Sequence, residues 1–263
     1  MAAELQLKSI IRSSVVVFCF FYSFLLLMQD VILSSWPITI LGSIFLCSLW
    51  FTFSLPAAEQ SVYEGIFGTI DEKGFPTIPI IGHRGAGLDA PENSLSAFKL
   101  AKENGCKLVE FDVALTKDKV AVVFHDDLVD RLTTAVGPIE NFTYEELSKL
   151  DLGEKFPIKG KYKNERIPLL TEVINLCLEL ELKMIIDIKS GMDIRVASSI
   201  IEVYEKYPEL YREAAVTTFY PYLLYMIRSK KPNIGGCLSW RPYFLTYRNY
   251  CGFRGYTNPF YME

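Results

Sequence analysis

The 263 residues contain two histidines, His83 and His125, and each stands where an apolar run gives way to polar residues. His83 opens the run His83-Arg84-Gly85-Ala86-Gly87, with Pro91-Glu92-Asn93-Ser94 close behind, and His125 is followed by Asp126. Glu110 and Asp112 are two apart in an alternating stretch, so both project to one face of a strand. Asp187 and Lys189 repeat that spacing. Glu110, Asp112 and Asp187 brought to one point would repel one another unless a cation joined them. An all-oxygen donor set suits Mg²⁺ or Ca²⁺ rather than zinc. Two imidazoles titrating near neutrality supply an acid and a base for proton transfer. Arg84 and Lys189 supply positive charge to an anionic group that also contacts the metal. A divalent cation, two histidines and two fixed cations are the equipment of phosphodiester chemistry.

Each piece alone has a plainer reading. Glu-x-Asp suits a solvated strand face, and His-Arg-Gly suits a turn in which Gly85 and Gly87 supply positive φ. Glu92-Asn93-Ser94 suits a helix start with Asn93 or Ser94 as the N-cap. The order and spacing of all of them together carry the specificity.

For these residues to meet, several elements must end at one place. Strands are expected at 78–81, 107–113, 120–124, 183–188, 214–217 and 234–238. Helical spacing of Leu95, Phe98 and Ala101 falls between the first two. Further helices are expected over 171–182, 193–207 (stopped by Pro208) and 222–229, and Thr143-x-x-Glu146 has capping-box spacing. Strands separated by helices imply parallel βα units. In a βα barrel, polar residues at the C-terminal strand ends converge on one mouth, where catalysis sits.

With His83-Arg84-Gly85, Pro91-Glu92-Asn93-Ser94, Glu110-Phe111-Asp112 and His125-Asp126 in that order, the sequence resembles the glycerophosphodiester phosphodiesterase family over about residues 78–245. It is most similar to the membrane-anchored branch acting on glycerophosphoinositol-like and lysophospholipid substrates. That branch also begins with an apolar anchor and carries Asp where Asp187 stands. The resemblance implies an α/β TIM (βα)8-type barrel. It implies Glu110, Asp112 and Asp187 as ligands of one Mg²⁺ or Ca²⁺, and His83 and His125 as the acid/base pair. Arg84 and Lys189 would contact phosphate, while Glu92 and Asn93 position the first motif. The family mechanism implies attack by the glycerol 2-hydroxyl on phosphorus, a cyclic phosphate, then water. G-protein signalling regulators are partners the branch suggests.

A complete barrel takes about 250 residues, and 186 follow from Ile78. About six strands can be placed, and the family's last two have no evident match before the aromatic tail 243–263. The expectation is therefore an incomplete barrel, with a catalytically inactive membrane-anchored interaction protein as the alternative function. A sphingomyelinase D-like phospholipase shares the two-histidine, Glu-x-Asp logic but does not account for Pro91-Glu92-Asn93.

Composition sets the frame. Half of the residues are hydrophobic, 22% are charged, and the mean hydropathy is +0.20, which is apolar for an ordinary soluble domain. Residues 1–55 hold four charges, Glu4, Lys8, Arg12 and Asp30, that cancel. The net charge of −4 belongs to the remainder, with 25 of the chain's 27 Lys+Arg and 29 of its 31 Asp+Glu. That balance argues against a disordered chain and against nucleic acid as a partner. Ser13–Met28 and Val31–Leu55 are uncharged, so residues 1–55 are expected to be a transmembrane anchor, one long crossing or a tight hairpin. Residues 56–77 would be a linker and 78–263 the catalytic domain. Lys8 and Arg12 ahead of the apolar stretch, with mostly acidic residues behind it, favour a luminal or extracellular domain. The sequon at Asn141 is a glycosylation candidate consistent with that side. The cysteines show no zinc spacing; a Cys237–Cys251 bridge is conceivable, although single buried thiols suit the spacing better.

Overall fold

A computed structural model describes residues 21–22, 24–25, 36–53, 58–69, 79–158, 160–189 and 193–239. The tail 243–263, Cys251 and most of the run 13–35 lie outside the described residues. The chain divides into two units, 1–54 and 55–263.

In the first unit, helix α1 (Trp36–Phe53) runs for 18 residues, with Pro37 tolerated in its first turn, where no intrahelical N–H bond is lost. At about 1.5 Å per residue it reaches roughly 27 Å, short of a hydrocarbon core of about 30 Å. Among the described residues no helix is long and apolar enough to cross a membrane. The transmembrane anchor expected over 1–55 therefore has no support in the described structure. Ile40, Leu41, Ile44 and Phe45 of this helix are exposed.

The second unit is a βα fold around one sheet. Strands β1 (Ile81–His83), β2 (Leu108–Leu115), β4 (Lys183–Ile188), β5 (Ala214–Thr218) and β6 (Gly235–Leu238) run parallel in the order β1-β2-β4-β5-β6. β3 (Ala121–Val123) pairs antiparallel with β2 and lies off that path. The six expected strands thus reduce to five parallel strands and one hairpin arm among the described residues, against eight in a closed barrel. The length of its connection makes β3 a hairpin arm. A parallel crossover needs a dozen or more residues, whereas the turn Thr116–Val120 returns at once. It is closed by Lys119 N–H donating to Thr116 O at 3.0 Å and Val120 N–H to Thr116 Oγ1 at 2.9 Å, with Lys119 at φ 65°.

Strand alternation separates two environments. Val109, Phe111 and Val113, Met184, Ile186 and Ile188, and Ala214 and Val216 turn one way into the main core. There they meet helices α3 (Leu95–Glu103), α5 (Leu170–Glu179), α6 (Arg195–Lys206) and α8 (Pro221–Lys230), and the short α7 (Leu210–Glu213) adds Leu210, while the short α4 (Tyr144–Leu147) packs Leu147 in a second cluster. Phe98 of α3 meets Phe111 edge-on at 5.7 Å. The opposite face begins apolar at the strands' N-terminal ends, with Leu108, Ile185 and Ala215, and becomes polar toward their C-terminal ends. The stretch 56–77, expected to be a linker, instead carries helix α2 (Gln60–Phe67). Its Ile66 is 1% exposed against Leu108, Ile185 and Ala215, so α2 forms an apolar floor opposite the polar mouth. Tyr63 on the same helix donates to Gly236 O at 3.1 Å and accepts from Gly236 N–H at 3.2 Å. The capping box expected at Thr143 and Glu146 is present.

Candidate active site

The polar mouth is assembled by strand register. His83 pairs with Glu110 across β1 and β2, and Asp112 pairs with Asp187 across β2 and β4. Glu110, Asp112 and Asp187 bring carboxylate oxygens within 4.8 Å of one another. Asp112 is fully buried. Its Oδ2 accepts from Asn93 Nδ2 at 2.9 Å, while its Oδ1 is in no hydrogen bond and has Lys189 Nζ at 3.1 Å as charge partner. Lys189 Nζ also donates to Asp187 Oδ2 at 2.5 Å, and Thr217 Oγ1 donates to Asp187 Oδ1 at 3.0 Å. Burial, reinforced by the neighbouring Asp112 charge, pushes the Glu110 carboxyl up to about 8. Burial opposes the Lys189 charge, but Asp112 and Asp187 outweigh it and hold its ammonium above the usual range. Two buried carboxylates, Asp112 and Asp187, and the half-buried Glu110, with one lysine between them and one oxygen left without a hydrogen bond, form a donor set that fits a hard divalent cation.

The first motif is held by backbone geometry. Arg84 and Asn93 both occupy the left-handed region, at φ 53° and 60°, which is strained for the arginine and tolerated by asparagine. Asn93 N–H donates to Arg84 O at 3.0 Å, tying the two together. Arg84 N–H then donates to Glu110 Oε2 at 3.2 Å, and its guanidinium donates to Glu92 Oε1 at 2.9 Å. Arg84 Nε lies 3.6 Å from Asp112 Oδ2. The N-cap of α3 is Ser94, which accepts from Ala97 N–H at 3.1 Å. Asn93 is thereby left for the site. Gly85 has φ +79°, and a Cβ there would lie 2.9 Å from Ala97. Gly87, expected to share that conformation, is not at positive φ.

His83 stands 3.7 Å from Glu110 Oε2, and burial, then Arg84, lower its pKa. His125 reaches the site through the hairpin. β2 overshoots the mouth, β3 folds back, and Phe124 N–H donates to Asp112 O at 2.9 Å, so His125 emerges beside Asp112. Its Nδ1 meets Asp126 Oδ1 at 2.7 Å. An ionised carboxylate only accepts, so the proton sits on Nδ1 and the lone pair of neutral His125 is on Nε2. Every residue expected in the site is thus gathered at the mouth. Asn141 is not among them; it is the exposed last residue of the 3₁₀ turn Ile139–Asn141.

Two participants were not evident from the sequence. Thr217 could have been found from alternation, since it falls on the mouth-facing side of β5 beside Asp187. Arg131 carries no local signature, yet it donates from Nε to Asp126 Oδ2 at 2.6 Å and from both terminal nitrogens to Glu92 at 2.8 and 2.6 Å. Hydrogen bonds from His125 and Arg131 overcome burial to hold Asp126 well below the ordinary carboxylate range.

A parallel βα sheet of barrel type, with a carboxylate triad, paired histidines and anion-facing cations at its strand ends, defines the class. Residues 83–234 match the model of the glycerophosphoryl diester phosphodiesterase family, and the chain belongs to that family. Glycerophosphodiester phosphodiesterase 1 of Mus musculus is 31% identical over 206 residues, covering 78% of this chain and 60% of the mouse protein. A glycerophosphodiester phosphodiesterase of Caldanaerobacter subterraneus is 38% identical over 157 residues, covering 59% of this chain and 63% of that protein. The chain thus spans about 60% of the length of these relatives. Among solved structures, an Oleispira antarctica phosphodiesterase in complex with the product sn-glycerol-3-phosphate superposes with a TM-score of 0.57 at 27% identity. It covers 65% of this chain and 70% of its own.

Proposed function

We propose that this chain hydrolyses glycerophosphodiesters, releasing an alcohol and glycerol 3-phosphate or, from lysophospholipids, a phosphatidate-type product. The observation that carries the reading is the convergence of Glu110, Asp112 and Asp187 between His83 and His125. A divalent cation held by the three carboxylates would polarise the phosphate and offset the charge that develops on it. Arg84 and Lys189 grip the phosphate oxygens as fixed donors. His125, oriented by Asp126, takes the proton from the attacking hydroxyl at Nε2, and His83 returns one to the leaving alcohol. The attacking group is the glycerol 2-hydroxyl, so the first product is a cyclic phosphate that water opens.

The substrates are lipid-derived, glycerophosphoinositol-like diesters or lysophospholipids, and the apolar first 55 residues hold the domain at a membrane. The domain faces the lumen or the exterior, with Asn141 glycosylated. A second reading, an inactive interaction protein, is favoured by one observation: five parallel strands among the described residues, where a closed barrel has eight.

The two separate in one assay. The purified full chain with Mg²⁺ or Ca²⁺ is expected to release glycerol 3-phosphate from glycerophosphoinositol, and chelation by EDTA to stop it. No release by cooperatively folded protein would establish the inactive reading, and release that survives EDTA would remove the metal from the mechanism.

A further inference from the structure

The His125–Asp126 pair and the Arg84–Glu92 pair belong to different loops, 39 residues apart at their linking contact. A single side chain joins them. Arg131 Nε donates to Asp126 Oδ2 at 2.6 Å, which leaves Asp126 Oδ1 for His125 Nδ1 at 2.7 Å. Its two terminal nitrogens donate to Glu92 Oε2 and Oε1, and Oε1 also accepts from Arg84 at 2.9 Å. All three nitrogens of the guanidinium are therefore used, in the planar fork that only arginine offers.

The backbone beneath it is built to hold that position. Arg131 ends the 3₁₀ turn Val129–Arg131, whose Val129 is fully buried. Thr133 Oγ1 donates to Val129 O at 2.9 Å, and Gly137 N–H donates to Asp130 Oδ1 at 2.8 Å. Lys155 Nζ donates to Asp130 O from a third loop. A long side chain is thus presented from a fixed base, which lowers the entropy lost in holding it.

We propose that Arg131 is a positioning residue of this site: it orients Asp126 toward His125 Nδ1 and Glu92 toward Arg84, so that the proton carrier and the phosphate clamp are set by one group. The inference rests on the preceding reading of His125 as proton carrier. It acts through other residues and makes no contact with the reacting atoms.

The test compares Arg131→Gln and Arg131→Lys in the full chain, by turnover of glycerophosphoinositol with Mg²⁺ and by ¹⁵N spectra of the histidine rings. With two histidines in the chain, His83→Gln assigns the spectrum. Arg131→Gln is expected to lower kcat about 10–10²-fold with KM within about threefold. The His125 ring should then lose its single Nδ1-protonated pattern for a mixture of tautomers. Arg131→Lys should not restore the rate, because one ammonium cannot serve three bonds. Asp126→Asn added to Arg131→Gln should cost little more, since both break one chain of contacts.

Wild-type kcat in Arg131→Gln, full rescue by lysine, or a slow variant whose His125 pattern is unchanged would each overturn the proposal. If Arg131→Gln does not melt cooperatively, Arg131→Lys and Asp126→Asn decide it by the same readouts. An inactive wild type whose His125 pattern still shifts in Arg131→Gln would remove the activity reading and leave the positioning role standing.

Discussion

Lys189 has two partners that compete for it, and replacing it by methionine should separate them. Its Nζ stands 3.1 Å from Asp112 Oδ1 and 2.5 Å from Asp187 Oδ2. At an effective dielectric of about 20, the two contacts amount to roughly 5 and 7 kcal/mol of Coulomb attraction before desolvation is subtracted. Breaking a buried pair by removing one member leaves charge uncompensated and typically costs about 3–5 kcal/mol. Lys189→Met is therefore expected to unfold about 3 kcal/mol more easily than wild type in EDTA. A divalent cation seeks the same oxygens, so losing the ammonium should tighten its binding. Its stabilisation grows as RT ln(1 + [L]/Kd), about 2.7 kcal/mol at 100 Kd. Saturating Mg²⁺ or Ca²⁺ should then restore much of the variant's lost stability while stabilising wild type less. Phosphate loses its clamp as well, so kcat should fall about 10²–10³-fold even with the cation bound. The assay is denaturant unfolding of the full chain in mild detergent, with and without divalent cation. An equal cation increment in both proteins would refute the assignment of Glu110, Asp112 and Asp187 as the metal's ligands.

Three further outcomes follow from particular contacts. His83→Ala and His125→Ala should each lower turnover about 10²–10⁴-fold; full rate in both would remove the acid/base pair. Gly85→Ala should cost at least about 2 kcal/mol in a thermal or urea melt, since the position combines φ +79° with a 2.9 Å approach to Ala97; an unchanged midpoint would contradict that packing. Arg166 holds the Glu172 carboxyl below its ordinary range by hydrogen bonding. Because the folded pKa is depressed, this stabilisation is present above the unfolded value of about 4.3 and fades as pH falls through the folded one. Glu172→Gln should accordingly flatten stability against pH below about 4.5, and an acid limb identical to wild type would count against the pair.

Much of the site was legible because its residues announce themselves locally. Glu110 with Asp112, and Asp187 with Lys189, share a strand face by the period of two, whatever surrounds them. A helix start at Asn93-Ser94 and a glycine turn at 85–87 follow from equally local rules, whereas the choice of Ser94 as cap and of Gly85 alone for positive φ came with the structure. Asn93 was legible as a cap but not as a donor to Asp112, since a capping sequence does not say which of two polar neighbours turns away. The stretch 60–67 read as linker because a two-turn helix has weak periodicity and forms through the apolar floor it covers.

By itself, then, the sequence determined most of the residue set, Thr217 and Arg131 excepted, the faces on which its pairs project and the βα alternation, all properties of a few adjacent residues. The tertiary structure decided that β3 is a hairpin arm and that Asp112 stands opposite Asp187. It also decided that Arg131 links His125 to the first motif. These depend on register, turn length and contacts between loops 39 residues apart, where the free energy is set by which surfaces meet rather than by any local pattern.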